Sequence, residues 1–119
     1  MYSAQVLDHF QNPRNAGDLA DADATVETEN PACGDVLRLS LKASAGRITQ
    51  MGFKAKGCVA AIACGSALTE LVVGKTLKEA GNLQREDVGD AVGGLPQGST
   101  HAAQLVIDAL AAALSQIRT

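Results

Sequence analysis

The chain has 119 residues and a mass of 12.2 kDa, with 46% hydrophobic residues, 19% charged residues and a formal net charge of −3. That is enough for one domain and too little for separate cofactor and substrate domains, and the apolar content excludes a disordered chain. The acidic balance argues against a nucleic-acid surface, the three aromatics (Tyr2, Phe10 and Phe53) offer no stacking platform, and no apolar run reaches the roughly 18 residues of a membrane span.

In chain order, Ser3 caps a predicted helix that continues to Gln11, with Val6, Leu7 and Phe10 on one face. Pro13 ends it, and an Asp/Ala/Gly loop runs to about Asp23. Residues 24–30 read as an edge strand. Val36 to Lys42 alternates, with Leu37, Leu39 and Leu41 inward and Arg38, Ser40 and Lys42 outward. Ser44-Ala45-Gly46 is a hairpin turn, and Arg47 to Ala55 returns as a strand with Met51, Phe53 and Ala55 on one face. Ile48 is out of phase with those three, which predicts a bulge or strong twist near Gln50.

The second half reads as helical. Val59 to Val73 stops at Gly74, Thr76-Leu77-Lys78-Glu79 is a capping box, and residues 84–92 hold a short helical turn. After the Gly93–Gly98 loop a last helix is predicted from about Ser99 to Arg118, with Ala103, Val106, Leu110, Ala113 and Ile117 inward. The reading is a single α+β domain over residues 1–119: a small three-stranded antiparallel sheet with helices packed on one face. Twenty-one of the 119 residues are alanine, so the core is thin and invites help from a metal or a partner.

Three cysteines behind an N-terminus without a basic leader read as reduced thiols in a cytoplasmic protein. Cys33 precedes the clearest strand, Cys58 lies between a strand end and a helix start, and His101 opens the last helix. Element ends often gather at one pole of a small domain, so Cys33, Cys58 and His101, with Asp35, form a candidate metal site. A helix N-terminus should lower the pKa of a thiol there and keep an imidazole neutral. Sulfur and imidazole suit zinc or an iron–sulfur cluster, and Asp35 adds a harder oxygen ligand. The alternative is that both cysteines are small turn residues and His101 a capping side chain. Cys64 lies six residues beyond Cys58, about 240° around a helix, in line with Leu68, Leu71 and Val72. That position favours a core residue over a further ligand.

Among other residues, His9 reads as an exposed or half-buried histidine, with contact to a partner as the alternative. Lys54, Lys56 and Lys75 read as a solvated surface, and Glu27 and Glu29 as the solvent face of an edge strand. The Gly93-Gly94 pair would let the His101 region move. No nucleophile–base motif, phosphate loop or paired-carboxylate motif stands out.

At these residues the chain resembles the IscU/NifU-type scaffold proteins of iron–sulfur cluster assembly, a SufE/NifU-like fold, over nearly its whole length. Val6 to Asn15 is similar to the family's N-terminal signature. Pro31-Ala32-Cys33-Gly34-Asp35 is similar to its first ligand motif and Gly57-Cys58-Val59-Ala60-Ala61-Ile62-Ala63 to its second. Gly74 to Ala80 follows, and Leu95-Pro96, His101 and the helix containing Asp108 occupy the third region.

The resemblance implies a scaffold, not an enzyme. It would take sulfur from a cysteine desulfurase, assemble a labile two-iron, two-sulfur cluster and pass it to acceptor apo-proteins. It implies Cys33 and Cys58 as thiolate ligands of the cluster, of iron or of zinc. Asp35 would be the carboxylate that keeps the site labile, and His101 a fourth ligand or proton partner. Whether two chains share a cluster as a homodimer stays open. The family carries a cysteine after the third-motif histidine, and here that position is Ala102. Where some members offer Leu-Pro-Pro-Val-Lys to a dedicated chaperone, this chain has Leu95-Pro96-Gln97-Gly98-Ser99, so the resemblance does not carry over recognition by that chaperone. Two alternatives accompany the scaffold reading: a zinc-bound sulfur acceptor for the desulfurase, and an adaptor that has lost cluster chemistry.

Overall fold

The computed structural model describes residues 2–30 and 34–117. Helix α1 (Ala4–Gln11) is followed by strands β1 (Ala24–Asn30), β2 (Asp35–Ser44) and β3 (Arg47–Lys56). Helices α2 (Val59–Val72), α3 (Leu77–Gly81), α4 (Arg85–Ala91) and α5 (Thr100–Gln116) complete the order, with one 3₁₀ turn over Gln97–Ser99 leading into α5. The strands form one antiparallel sheet in the order β1-β2-β3. Helices α2 and α5 lie against the sheet and against each other, α1 packs on α2, and α4 on α5. This is the predicted α+β architecture.

The alternation in β2 sets the core. Leu37, Leu39 and Leu41 are fully buried and meet Met51 and Phe53 of β3, Cys64 and Leu68 of α2, and Val106 and Leu110 of α5. Ala45 (φ 54°) and Gly46 (φ 77°) turn the β2–β3 hairpin with both central residues left-handed, the geometry whose twist suits a two-residue loop. The predicted bulge is present. Lys42 pairs with Gln50 but Ala43 with Ile48, so Thr49 is the extra residue. The slip carries Ile48 from the outward phase into the core, where it is fully buried.

Helix ends follow their sequence signals. Ser3 accepts a hydrogen bond from the Val6 amide, and Thr76 and Glu79 form the reciprocal capping box. Gly74, at φ 94°, follows the end of α2.

Two expectations need correction. Val6 and His9, not Leu7 and Phe10, form the buried face of α1; Leu7 and Phe10 remain substantially exposed. The cause lies on α2, which offers Ala63 and Ala67 to Val6 and a hydroxyl to His9. Ser40 points to the outer face of the sheet yet is buried, because the segment after α1 folds back across that face and the Leu19 amide donates to Ser40 Oγ at 3.0 Å. The same segment closes the free edge of β3: Gly17 donates to the Phe53 carbonyl and Phe53 to that of Asn15.

Candidate metal centre

The sheet register explains how distant residues meet. Val36 of β2 pairs with Lys56 of β3, so the start of β2 lies beside the end of β3. That puts Asp35 next to Gly57 and Cys58. Helix α5, packed across β1 and α2, brings His101 to the same corner in its first turn. One ligand atom each from Asp35, Cys58 and His101 lies within 4.8 Å of the others. Cys33, two residues before Asp35 in sequence, lies outside the described residues.

Asp35 is the hub and is only 1% exposed. Its Oδ1 accepts from the Cys58 amide at 3.0 Å, and its Oδ2 accepts from the Cys58 thiol at 3.4 Å. His101 Nε2 stands 3.4 Å from the same Oδ2. That contact has the distance of an ion pair without the alignment of a hydrogen bond, and His101 Nε2 is a buried nitrogen with no hydrogen-bond partner among the described residues. A buried carboxylate, a thiol and an imidazole nitrogen left unsatisfied form a donor set that a soft or borderline cation fits.

Cys58 is the N-cap of α2, and its Sγ accepts from the Ala61 amide at 3.4 Å. The helix end therefore favours the thiolate, as the sequence predicts. Burial and the neighbouring Asp35 carboxylate outweigh it, and the thiol is pushed up from its ordinary value. The expected lowering is thus reversed. The sulfur therefore holds its proton more firmly than a free thiol, and a cation taken up there would have to displace it.

Cys64 is not at this corner. It is fully buried in the main core, where burial first and the Cys58 charge second push its thiol up to about 12. Ala102 is fully buried as well. Beside His101 a cleft of about 240 Å³ is lined by Glu29, Asn30, Gln104, Leu105 and Asp108.

A second polar cluster corrects the expectation that His9 is exposed or half-buried. His9 is buried, with its Nδ1 2.7 Å from Ser66 Oγ and its Nε2 3.7 Å from Glu70 Oε1. Ser66 Oγ also accepts from the Arg14 amide at 2.8 Å, so one hydroxyl ties the imidazole to the backbone that follows α1. The spacing resembles a nucleophile–base–acid set, but Ser66 is fully buried and its hydroxyl is engaged on both sides. The cluster fastens α1 to α2. The sign available in sequence was a serine within the small, apolar first two-thirds of α2.

The fold and the corner together define a small α+β domain that gathers thiol, carboxylate and imidazole donors at one end. The model of the family described as NifU-like N terminal domain matches residues 1–119. A protein of Archaeoglobus fulgidus named iron–sulfur cluster assembly scaffold protein IscU 1 is 46% identical over 114 residues, covering 96% of this chain and 74% of the relative. A Haemophilus influenzae protein named iron–sulfur cluster assembly scaffold protein IscU is 40% identical over 121 residues, covering 98% and 95%. Among solved structures, the N-terminal part of a nitrogen-fixing NifU-like protein from Brucella abortus superposes with a TM-score of 0.75 at 23% identity, covering 97% of this chain and 92% of that one. The chain belongs to the family of NifU-like N-terminal domains. Among the described residues no helix is long and apolar enough to cross a membrane.

Proposed function

We propose that this chain, as a single domain, is an iron–sulfur cluster assembly scaffold: it binds iron and sulfide, holds a labile cluster and transfers it to acceptor proteins. The observation that carries this reading is the convergence of Asp35, Cys58 and His101 within 4.8 Å. Names of relatives sharing 40–46% of their residues with this chain support it. Cys33, next but one to Asp35, supplies the second thiolate, and the cargo is a two-iron, two-sulfur cluster.

The donor set suits transient holding. Two thiolates provide the strong soft bonds, while the carboxylate and the imidazole bind iron less tightly. The cleft beside His101 gives acceptors an approach from solvent. A cysteine desulfurase supplies the sulfur, and free thiols of this kind belong in a reducing compartment such as the cytoplasm.

The test is anaerobic incubation with ferrous iron, sulfide and dithiothreitol, followed by desalting and then by apo-ferredoxin. A visible cluster spectrum should appear on the protein and move to the ferredoxin. The Cys33→Ser, Cys58→Ser and His101→Ala variants should each retain far less iron. A desalted wild-type protein that is colourless and iron-free, beside a relative that loads, overturns the proposal.

A further inference from the structure

We infer that Gly57 is a positioning residue for the metal corner: its bare α-carbon is what lets the Asp35 carboxylate reach the Cys58 amide. This deepens the proposed function, since it concerns how Asp35 joins that site.

Gly57 sits at φ +140°, a conformation that L side chains rarely adopt. A Cβ there would overlap Asp35 Oδ1 and lie 2.8 Å from its Cγ and 3.0 Å from its Cα. The obstruction is not the far end of a flexible side chain. It is the carboxyl group itself and the backbone atom that bears it. The oxygen overlapped is also the one that accepts from the Cys58 amide at 3.0 Å. Residue 57 and the carboxylate therefore compete for one volume, and glycine yields it.

The alternatives open to Asp35 are poor. At 1% exposure it has no route to water without rotating out of the corner. Rotation would break the bond from the Cys58 amide and carry Oδ2 away from both Cys58 Sγ and His101 Nε2, each now 3.4 Å away. A side chain at position 57 would then act as if Asp35 had been removed, although it touches neither sulfur nor imidazole. Gly17, Gly34, Gly46, Gly74 and Gly94 also have positive φ, but among the described residues no atom lies within 4 Å of a built Cβ there, so the demand seen is conformational.

The experiment compares Gly57→Ala, Asp35→Ala and the double variant. The Cys58 amide is followed by ¹H–¹⁵N spectra, and Co²⁺ binding by its thiolate charge-transfer absorption. Gly57→Ala should move the Cys58 amide proton in the same upfield direction as Asp35→Ala and weaken Co²⁺ binding about tenfold or more, as loss of a supporting contact does. In the Asp35→Ala background, adding Gly57→Ala should change Co²⁺ affinity less than about twofold.

An unmoved amide, or a Co²⁺ loss as large with Asp35 absent as with it present, overturns the inference, because Gly57 would then act through backbone strain alone. If Gly57→Ala does not fold, the double variant must be the more stable of the two, and equal failure also overturns it. If Asp35→Ala leaves Co²⁺ affinity unchanged while both single variants shift the amide, the positioning stands and it is the metal reading of the corner that fails.

Discussion

Replacing Cys64 by alanine separates a packing thiol from a ligand thiol, because the two roles predict opposite profiles. Cys64 is fully buried among Leu37, Phe53 and Leu68, so removing its sulfur leaves a small cavity. One methylene-sized group lost from a core, with the cavity it leaves, costs about 1–1.5 kcal/mol near pH 7.5. At alkaline pH the sign changes. The thiol ionises at about 12 in the fold against an ordinary value of 9.0. Above pH 9 the unfolded chain therefore releases a proton that the fold retains, and stability falls by about 1.4 kcal/mol per pH unit. By pH 10.5 that is a loss of about 2 kcal/mol, which Cys64→Ala does not suffer. Urea unfolding should show the wild type the more stable protein at pH 7.5 and the variant the more stable by about pH 10.5. Cys58 is present in both proteins, so only its coupling to Cys64, smaller than the effect of burial, enters the difference. Co²⁺ affinity at pH 7.5 should agree within about twofold, as expected of a core thiol outside the Asp35, Cys58 and His101 group. Parallel pH profiles, or a tenfold loss of Co²⁺ affinity, would refute the assignment of Cys64 to the core.

Two further predictions concern the joint between α1 and α2. Ser66→Ala leaves the Arg14 amide and His9 Nδ1 without their shared partner, and should cost about 1–3 kcal/mol in urea unfolding; a change below about 0.5 kcal/mol would contradict the joint. Burial lowers the pKa of His9 below 6.5, with Arg14 acting in the same direction and Glu70 and Asp8 opposing. The fold therefore prefers neutral His9, and its contribution is present above pH 6.5 and lost as pH falls from there through the lower folded value. Melting temperatures between pH 7 and pH 5 should fall less in His9→Gln than in wild type, and equal slopes would count against the assignment.

The parts of the fold legible in sequence are those fixed by near neighbours. Alternation in β2, the Thr76–Glu79 capping box and the Ser3 cap each satisfy backbone groups within a few residues, so a short window contains the cause. Even the bulge was readable, since Ile48 breaks the two-residue period that Met51 and Phe53 keep. Misreadings arose where a distant segment decided the outcome. Leu7 and Phe10 make a plausible apolar stripe on α1, but Ser66, 57 residues beyond His9, selects a different face. Ser40 reads as solvated until the segment bearing Leu19 crosses over it. The joint formed by His9 and Ser66 has no local signature, because each residue alone is an ordinary polar side chain.

At the site, topology made the positions legible and left the electrostatics hidden. Antiparallel pairing forces the start of β2 to the end of β3, so Asp35 and Cys58 had to be neighbours once both strands were recognised. The protonation of Cys58 depends on which neighbour prevails, and the Asp35 carboxylate with burial outweighs the Ala61 amide. That outcome bears on the proposed function. Asp35 engages the Cys58 amide and thiol and stands against His101, so the buried carboxyl group has partners within the protein itself. On the proposed function, a cation taken up here would displace the thiol proton and compete for those contacts, and its release would let them re-form. Each step would trade one set of favourable contacts for another, which narrows the difference between the two states. A corner built from thiolates alone would lack this return path: its empty state would hold crowded sulfurs with no internal partner, and the affinity gained by filling it would slow release. Compared with a further thiolate in its place, a buried carboxylate positioned by a bare α-carbon supports binding yet would favour exchange over retention.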